Sequence, residues 1–144
     1  MNCPICGVGT AKKIKKEHQA KYNKQIVNVA DAELFRCNKC GETFFSPDQA
    51  KAFSLAVKNE IRKRLNLLPP DRILEIRTKL QLTQEDLEQL FGLGPKVVTR
   101  WETGRVVQSK TADLALRLFE HMPTLLIFAR AVEEQRLRSR RHYA

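Results

Sequence analysis

Four cysteines are the residues of this chain best equipped for chemistry, and they come as two matched pairs: Cys3 and Cys6 in CPICG, Cys37 and Cys40 in CNKCG. A C-x2-C pair sets two sulfurs on one tight turn, and the glycine that follows, Gly7 or Gly41, lets the backbone fold beneath a bound metal. Two such turns make a closed tetrahedral thiolate cage, the ligand set of structural zinc. Disulfides and rubredoxin-like iron are the alternatives; the spacing and a cytosolic address favour Zn2+. The 30 residues between the pairs leave room for a small β insertion. With all four cysteines used as ligands, no position stays open for a reactive water, so the ion is expected to hold the fold together and not to catalyse.

A second constellation lies in GPKVVTRWETG, residues 94–104. With Gly94 as cap and Pro95 as first helical residue, the spacing predicts a helix over 95–103 that turns Val98 and Trp101 inward. Lys96, Val97, Thr99 and Arg100 then share the outer face. Before it stands LTQEDLEQLFG, where Thr83 and Asp86 form a capping box and Leu82 and Leu87 a hydrophobic staple. Gly92 and Gly94 bracket Leu93 in a sharp turn. Helix, short glycine turn and second helix are the spacing of a helix-turn-helix, whose second helix enters the major groove. Arg100 suits a bidentate contact to guanine, Lys96 a guanine or a phosphate, Val97 a thymine methyl, and Thr99 either base or backbone. Gln84, opening the first helix, is expected at a phosphate.

Other elements must position these two sites. Between the knuckles, KQIVNV and AELFRC predict short strands, and the lysines at 12, 13, 15, 16, 21 and 24 are expected to form a solvated face, with contact to an anion such as RNA as the alternative. SPDQAKAFSLAVKNEIRKRLN reads as a helix with Ser46 as cap and Pro47 first. Phe53, Val57 and Ile61 form its apolar stripe, with Lys51, Lys58, Arg62 and Lys63 opposite. LLPP ends it, placing a hinge at 66–70. DRILEIRTKLQ is a further short helix. SKTADLALRLFEHM follows, with Leu114, Leu118 and Met122 as its expected buried stripe, and a last helix starts after Pro123. Leu125, Leu126, Phe128, Ala129 and Val132 give that helix enough apolar surface for a homodimer seam. The expected fold is α+β: a zinc-binding domain of short strands plus one helix over residues 1–68, and an all-α five-helix domain over 69–144 with an arginine-rich tail.

The bulk composition limits the functions available. The formal charge is +10, which favours polyanionic partners. Residues 69–122 hold 8 cations and 8 carboxylates, so DNA reading there depends on where charge is placed. No apolar run is long enough for a membrane span, and the first residues lack a secretion-signal layout, which makes the cytoplasm the expected location. His18, His121 and His142 are scattered and no nucleophile–base pair is visible, so no enzyme is expected.

CPICG at the N-terminus, FRCNKCGE some thirty residues on, the SPDQAKAF helix and IRTKLQLTQEDLEQLFGLGPKVVTRWETG together resemble the MqsA-type antitoxins, with their YgiT-type zinc finger, over roughly residues 1–126. The last block is also similar to the wider Xre/Cro group of repressors. The resemblance implies an N-terminal domain that engages a toxin, typically an mRNA-cleaving ribonuclease. It implies a C-terminal domain that dimerises on a palindromic operator of the shared operon. Family base contacts come from an early polar residue of the recognition helix and an arginine one turn later, positions held here by Lys96 and Arg100. A stand-alone zinc-containing repressor without a toxin is the alternative.

Overall fold

A computed structural model describes residues 1–143, which divide into two compact units, 1–64 and 65–143. The first unit is built on a hairpin. β1 (Ala11–Tyr22) and β2 (Gln25–Cys37) pair antiparallel, and β3 (Thr43–Phe44) adds to the far side of β2. Asn23 and Lys24 make the two-residue turn, both at positive φ (44° and 67°), as a turn matching strand twist requires. The strands are longer than the sequence predicts, because β1 hides its strand character under lysines. β2 supplies the apolar rows, Val27, Ala32 and Leu34 being buried. β1 adds half-buried Ile14, His18, Ala20 and Tyr22. A bulge between Lys16 and His18 shifts the register midway along the hairpin.

α1 (Pro47–Arg64) packs on β2. Its capping box is formed: the Gln49 amide N–H donates to Ser46 Oγ (3.3 Å), and the Ser46 N–H to Gln49 Oε1 (3.0 Å). Val57 and Ile61 are buried, and the His18 ring stands edge-on to Phe45 and Phe53 with centroids 5.2 and 5.3 Å away. Arg62 corrects the expected polar face. It is 2% exposed and bonds Asn59 Oδ1 at 3.0 Å, and burial lowers its pKa against a raising effect from Tyr22.

The second unit holds five helices among the described residues: α2 (Pro70–Lys79), α3 (Gln84–Phe91), α4 (Val97–Glu102), α5 (Lys110–His121) and α6 (Leu125–His142). Ile73, Ile76, Leu82, Leu87, Val98, Trp101, Ala112 and Leu116 close its core, joined by Leu68. The Thr83–Asp86 capping box starts α3, Gly92 in the left-handed region (φ 66°) ends it, and Ser109 caps α5. Among the described residues no helix is long and apolar enough to cross a membrane.

α5 departs from the expected stripe. Leu114, Leu118 and Met122 are 58%, 46% and 50% exposed, while Ala112, Asp113, Leu116 and Phe119 face inward. The physical reason is Asp113. Its Oδ1 accepts from the Leu68 N–H (2.7 Å) and Gln108 Nε2 (3.1 Å), and its Oδ2 from Arg117 Nε (2.8 Å). Gln108 also donates to the Leu68 carbonyl (2.7 Å), and Arg117 to that of Asn66 (2.8 Å). Turning the leucines inward would carry this carboxylate away from the Leu68 amide, leaving that N–H buried and unmet. Asp113→Ala should therefore destabilise the second unit by about 3 kcal/mol, whereas Leu114→Ser should be near neutral in the monomer. Urea unfolding monitored on Trp101 measures both.

Candidate functional site

The hairpin brings the two knuckles together at its base. Cys37 ends β2 opposite Ala11, the first residue of β1. Around that rung the Cys3 N–H donates to the Gly9 carbonyl (2.8 Å), the Asn38 N–H to that of Thr10 (3.1 Å), and the Cys37 N–H to that of Glu42 (3.0 Å). Gly7 and Gly41, each just after its knuckle, adopt φ of +70° and +74°, the region that favours glycine. As a result all four Sγ atoms lie within 4.8 Å of one another, with Cys3–Cys40 at 3.9 Å and Cys6–Cys37 at 3.7 Å. A regular tetrahedron of thiolates about 2.3 Å from a central ion has edges of about 3.8 Å. The arrangement fits a four-coordinate ion, and the four cysteines are free of disulfides.

Electrostatics at the cluster are divided. Amides of Cys40 and Lys39 hold the Cys37 thiol down at about 6, and those of Val8 and Gly9 lower Cys6. Cys40 goes the other way. The Glu42 amide lowers it, but burial and the crowding of the Cys37, Cys6 and Cys3 sulfurs push it up to about 12. Four thiolates at this spacing repel, and a divalent cation removes the repulsion while displacing the remaining protons.

Sequence reasoning assigned the close backbone approach to Gly7 and Gly41 and missed Gly9. A Cβ at Gly9 would stand 2.3 Å from Cys37 Sγ and 2.9 Å from Lys39 Cβ, whereas one at Gly7 or Gly41 would meet nothing within 4 Å. Its only signal is a second glycine close behind the first knuckle.

The second site sits on α3 and α4. α4 begins at Val97, two residues later than expected, because Lys96 takes a left-handed conformation (φ 65°) at its N-cap and leaves Pro95 in the turn. Val98 and Trp101 are buried as predicted, Lys96 and Arg100 are exposed, and Val97 and Thr99 are half-buried between them. Two buried carboxylates hold this short helix. Glu88 Oε1 accepts from the Val98 N–H (3.1 Å), supplying the cap that no α4 side chain provides. Glu102 is gripped by Arg77 and accepts from Gln84 Nε2 (2.6 Å); Arg77 also donates to the Leu82 carbonyl (2.8 Å). The Thr99 hydroxyl donates to Gln84 Oε1 (2.9 Å). Gln84 therefore spends its amide on α4 in this structure. Lys96 and Arg100 enter no ion pair among the described residues. Such a face presents two free cations and a valine from a rigidly held helix. Glu88, Glu102 and Arg77 carry no motif of their own and were not legible as site residues.

Comparison with known proteins places this geometry in context. Residues 1–130 match the family described as "Antitoxin component of bacterial toxin-antitoxin system, MqsA". The Antitoxin MqsA of Escherichia coli (strain K12) is 27% identical over 128 residues, which cover 88% of this chain and 97% of the relative. Among solved structures, the N-terminal domain of the E. coli protein MqsA aligns at 23% identity with a TM-score of 0.34, covering 46% of this chain and 97% of that one.

Gly9→Ala should abolish stoichiometric metal retention, since the sulfur cage must open to admit the methyl. Gly94→Ala, with open space around its Cβ, should keep it. Metal analysis of the purified variants decides. Metal affinity should rise with pH, because Cys40 must give up its proton on loading; competition with a chromophoric chelator at several pH values reads this out.

Proposed function

Because the chain belongs to the MqsA antitoxin family, we propose that it binds and neutralises a cognate toxin, an mRNA-cleaving ribonuclease, and represses its own operon as a homodimer. The observation that carries the reading is that the family match runs through both units, joining the four-cysteine cluster to the helix pair α3–α4 in one chain. The first unit, with Zn2+ held by Cys3, Cys6, Cys37 and Cys40, presents the toxin-binding surface. The ion stabilises that surface and takes part in no reaction; the protein is a regulator and not an enzyme.

The second unit reads DNA. α4 lies in the major groove with Arg100 at a guanine edge, Lys96 at a guanine or phosphate, and Val97 against a thymine methyl. Gln84 and Thr99, bonded to each other, face the backbone beside them. A palindromic operator needs two such helices about 34 Å apart, hence a dimer. Leu114 and Leu118 on α5 and Met122 at its C-cap, with Ile127 (73% exposed) and Phe128 (70% exposed) on α6, support a dimer seam, since no residue of α6 is buried in the monomer. Covering such side chains is worth about 25 cal/mol per Å2 of apolar surface.

Two measurements test this. Affinity purification of the tagged protein, expressed with its native neighbouring genes, should yield a stoichiometric small partner that is toxic when expressed alone. A clean homodimer without partner would replace the antitoxin reading with that of a stand-alone repressor. Arg100→Ala should cost about 1–3 kcal/mol at one operator base and relax specificity there; operator binding equal to the parent's would remove α4 from the groove.

A further inference from the structure

For most of its length the helix-pair unit has no charge with which to attract a polyanion. Residues 65–134 carry 9 Lys and Arg against 10 Asp and Glu, a net charge of −1. Residues 135–143 then add Arg136, Arg138, Arg140 and Arg141 and no Asp or Glu, which brings the unit to +3. The sign of the unit is therefore set by the last turns of one helix. That segment lies past residue 130, where the family match ends, and α6 runs through it unbroken to His142.

Little inside the unit uses these arginines. All four are exposed. Arg136 pairs with Glu133 at 3.6 Å, whereas Arg138, Arg140 and Arg141 enter no ion pair among the described residues. A helix dipole favours a cation in the last turn, but that effect fades within one turn and leaves Arg138 unexplained. By the helical period the four spread over about 200° of the circumference, Arg136 and Arg140 on one side of Leu137, Arg141 and Arg138 on the other. A spread of this kind does not suit pairing with one neighbouring side chain. Leu137 fixes where this end stands. With Arg130 it lines a groove of about 360 Å³ against Leu82, Asp86 and Leu90. The end of α6 is thus seated on α3, the first helix of the pair, and Arg141 lies about 6 Å further along the axis.

We infer that Arg138, Arg140 and Arg141 form an electrostatic arm that holds the phosphate backbone of a DNA duplex while α4 meets its bases. The inference rests on the DNA reading of the helix pair and adds to it a contact outside that pair. Each guanidinium offers a fork that matches phosphate oxygens, and three free forks aimed in different directions meet a strand without reading its sequence. Without the arm the unit is net negative, and a duplex would be repelled before Lys96 and Arg100 could reach it. The segment has two large apolar side chains, Leu137 and Tyr143, and Leu137 is spent on the groove. It has little left with which to hold a protein.

The test is fluorescence anisotropy of the full-length protein on two labelled duplexes, one spanning the DNA upstream of its own reading frame and one of arbitrary sequence, from about 50 to about 200 mM salt. Replacing Arg138, Arg140 and Arg141 together by Gln should flatten the slope of log affinity against log salt by about 2–3 per bound protomer on both. Replacing the same three by Lys should keep the parent's slope, because the slope counts charges and not forks. Replacing Lys16, Lys24 and Lys51 by Gln, which removes equal charge from the other unit, should flatten it by less than about 1. Unchanged slopes in the arginine-to-glutamine variant, or an equal loss in the control, overturn the inference. So does a glutamine variant that loses its dimer in sedimentation, which would make a second copy the arm's ligand. One that keeps its slope but loses a co-purifying protein overturns it as well, in favour of an acidic peptide. Equal affinity of the parent for both duplexes would remove the operator reading instead, while the arm is still read on the arbitrary duplex, so the two failures are separable.

Discussion

A carboxylate taken out of water must find donors, and that requirement orders the second unit more than any apolar stripe does. Three acidic side chains are drawn inward there. Glu88 holds the first turn of α4, Glu102 ties α4 to α2 through Arg77 and to α3 through Gln84, and Asp113 ties α5 to the chain entering the unit at Leu68. Each contact runs between elements and not within one, so each fixes an angle or rotation that interchangeable leucines would leave free. Removing one partner would strand a buried charge, a cost that replacing a surface pair does not carry. The six-residue α4 could not hold its own orientation by helix propensity. It is placed by its neighbours' carboxylates and by Val98 and Trp101.

The first unit meets the same demand with sulfur. Its apolar core is small, and its hairpin exposes a row of lysines, so hydrophobic burial alone leaves little to close the base of the ladder. The four thiols converge there, where Gly9 lets Cys37 Sγ come closer to the chain than any side chain would permit. A bound ion turns four mutually repelling groups into a crosslink between the N-terminal knuckle and the end of β2. Under the proposed function, that crosslink is what allows a unit of this size to present a fixed surface to a partner.

Local signals made much of this visible before the structure. The paired C-x2-C knuckles, the Ser46–Gln49 and Thr83–Asp86 boxes, Gly92 and the spacing of Val98 and Trp101 each act within a few residues, and each appears where the sequence places it. What stayed hidden acts across distance. Leu114, Leu118 and Met122 have a helical period as good as any core stripe, but periodicity cannot weigh one distant backbone amide, at Leu68, that needs Asp113. β1 escaped for a similar reason. A run of lysines reads as solvated coil until β2 supplies the ladder and the apolar face. Arg62 read as surface because nothing local marks a buried guanidinium, and Lys96 read as helical because nothing local marks its positive φ.

The two units also divide electrostatics in a way that bears on how a repressor of this kind would work. Under the proposed function, specific recognition by α4 would rest on very few charges, since Lys96 and Arg100 stand in a unit that holds only +3 of the formal +10. Such a face would discriminate between sequences but attract duplex weakly from afar. The N-terminal unit has the complementary character, with a large surplus of charge and no base-reading element.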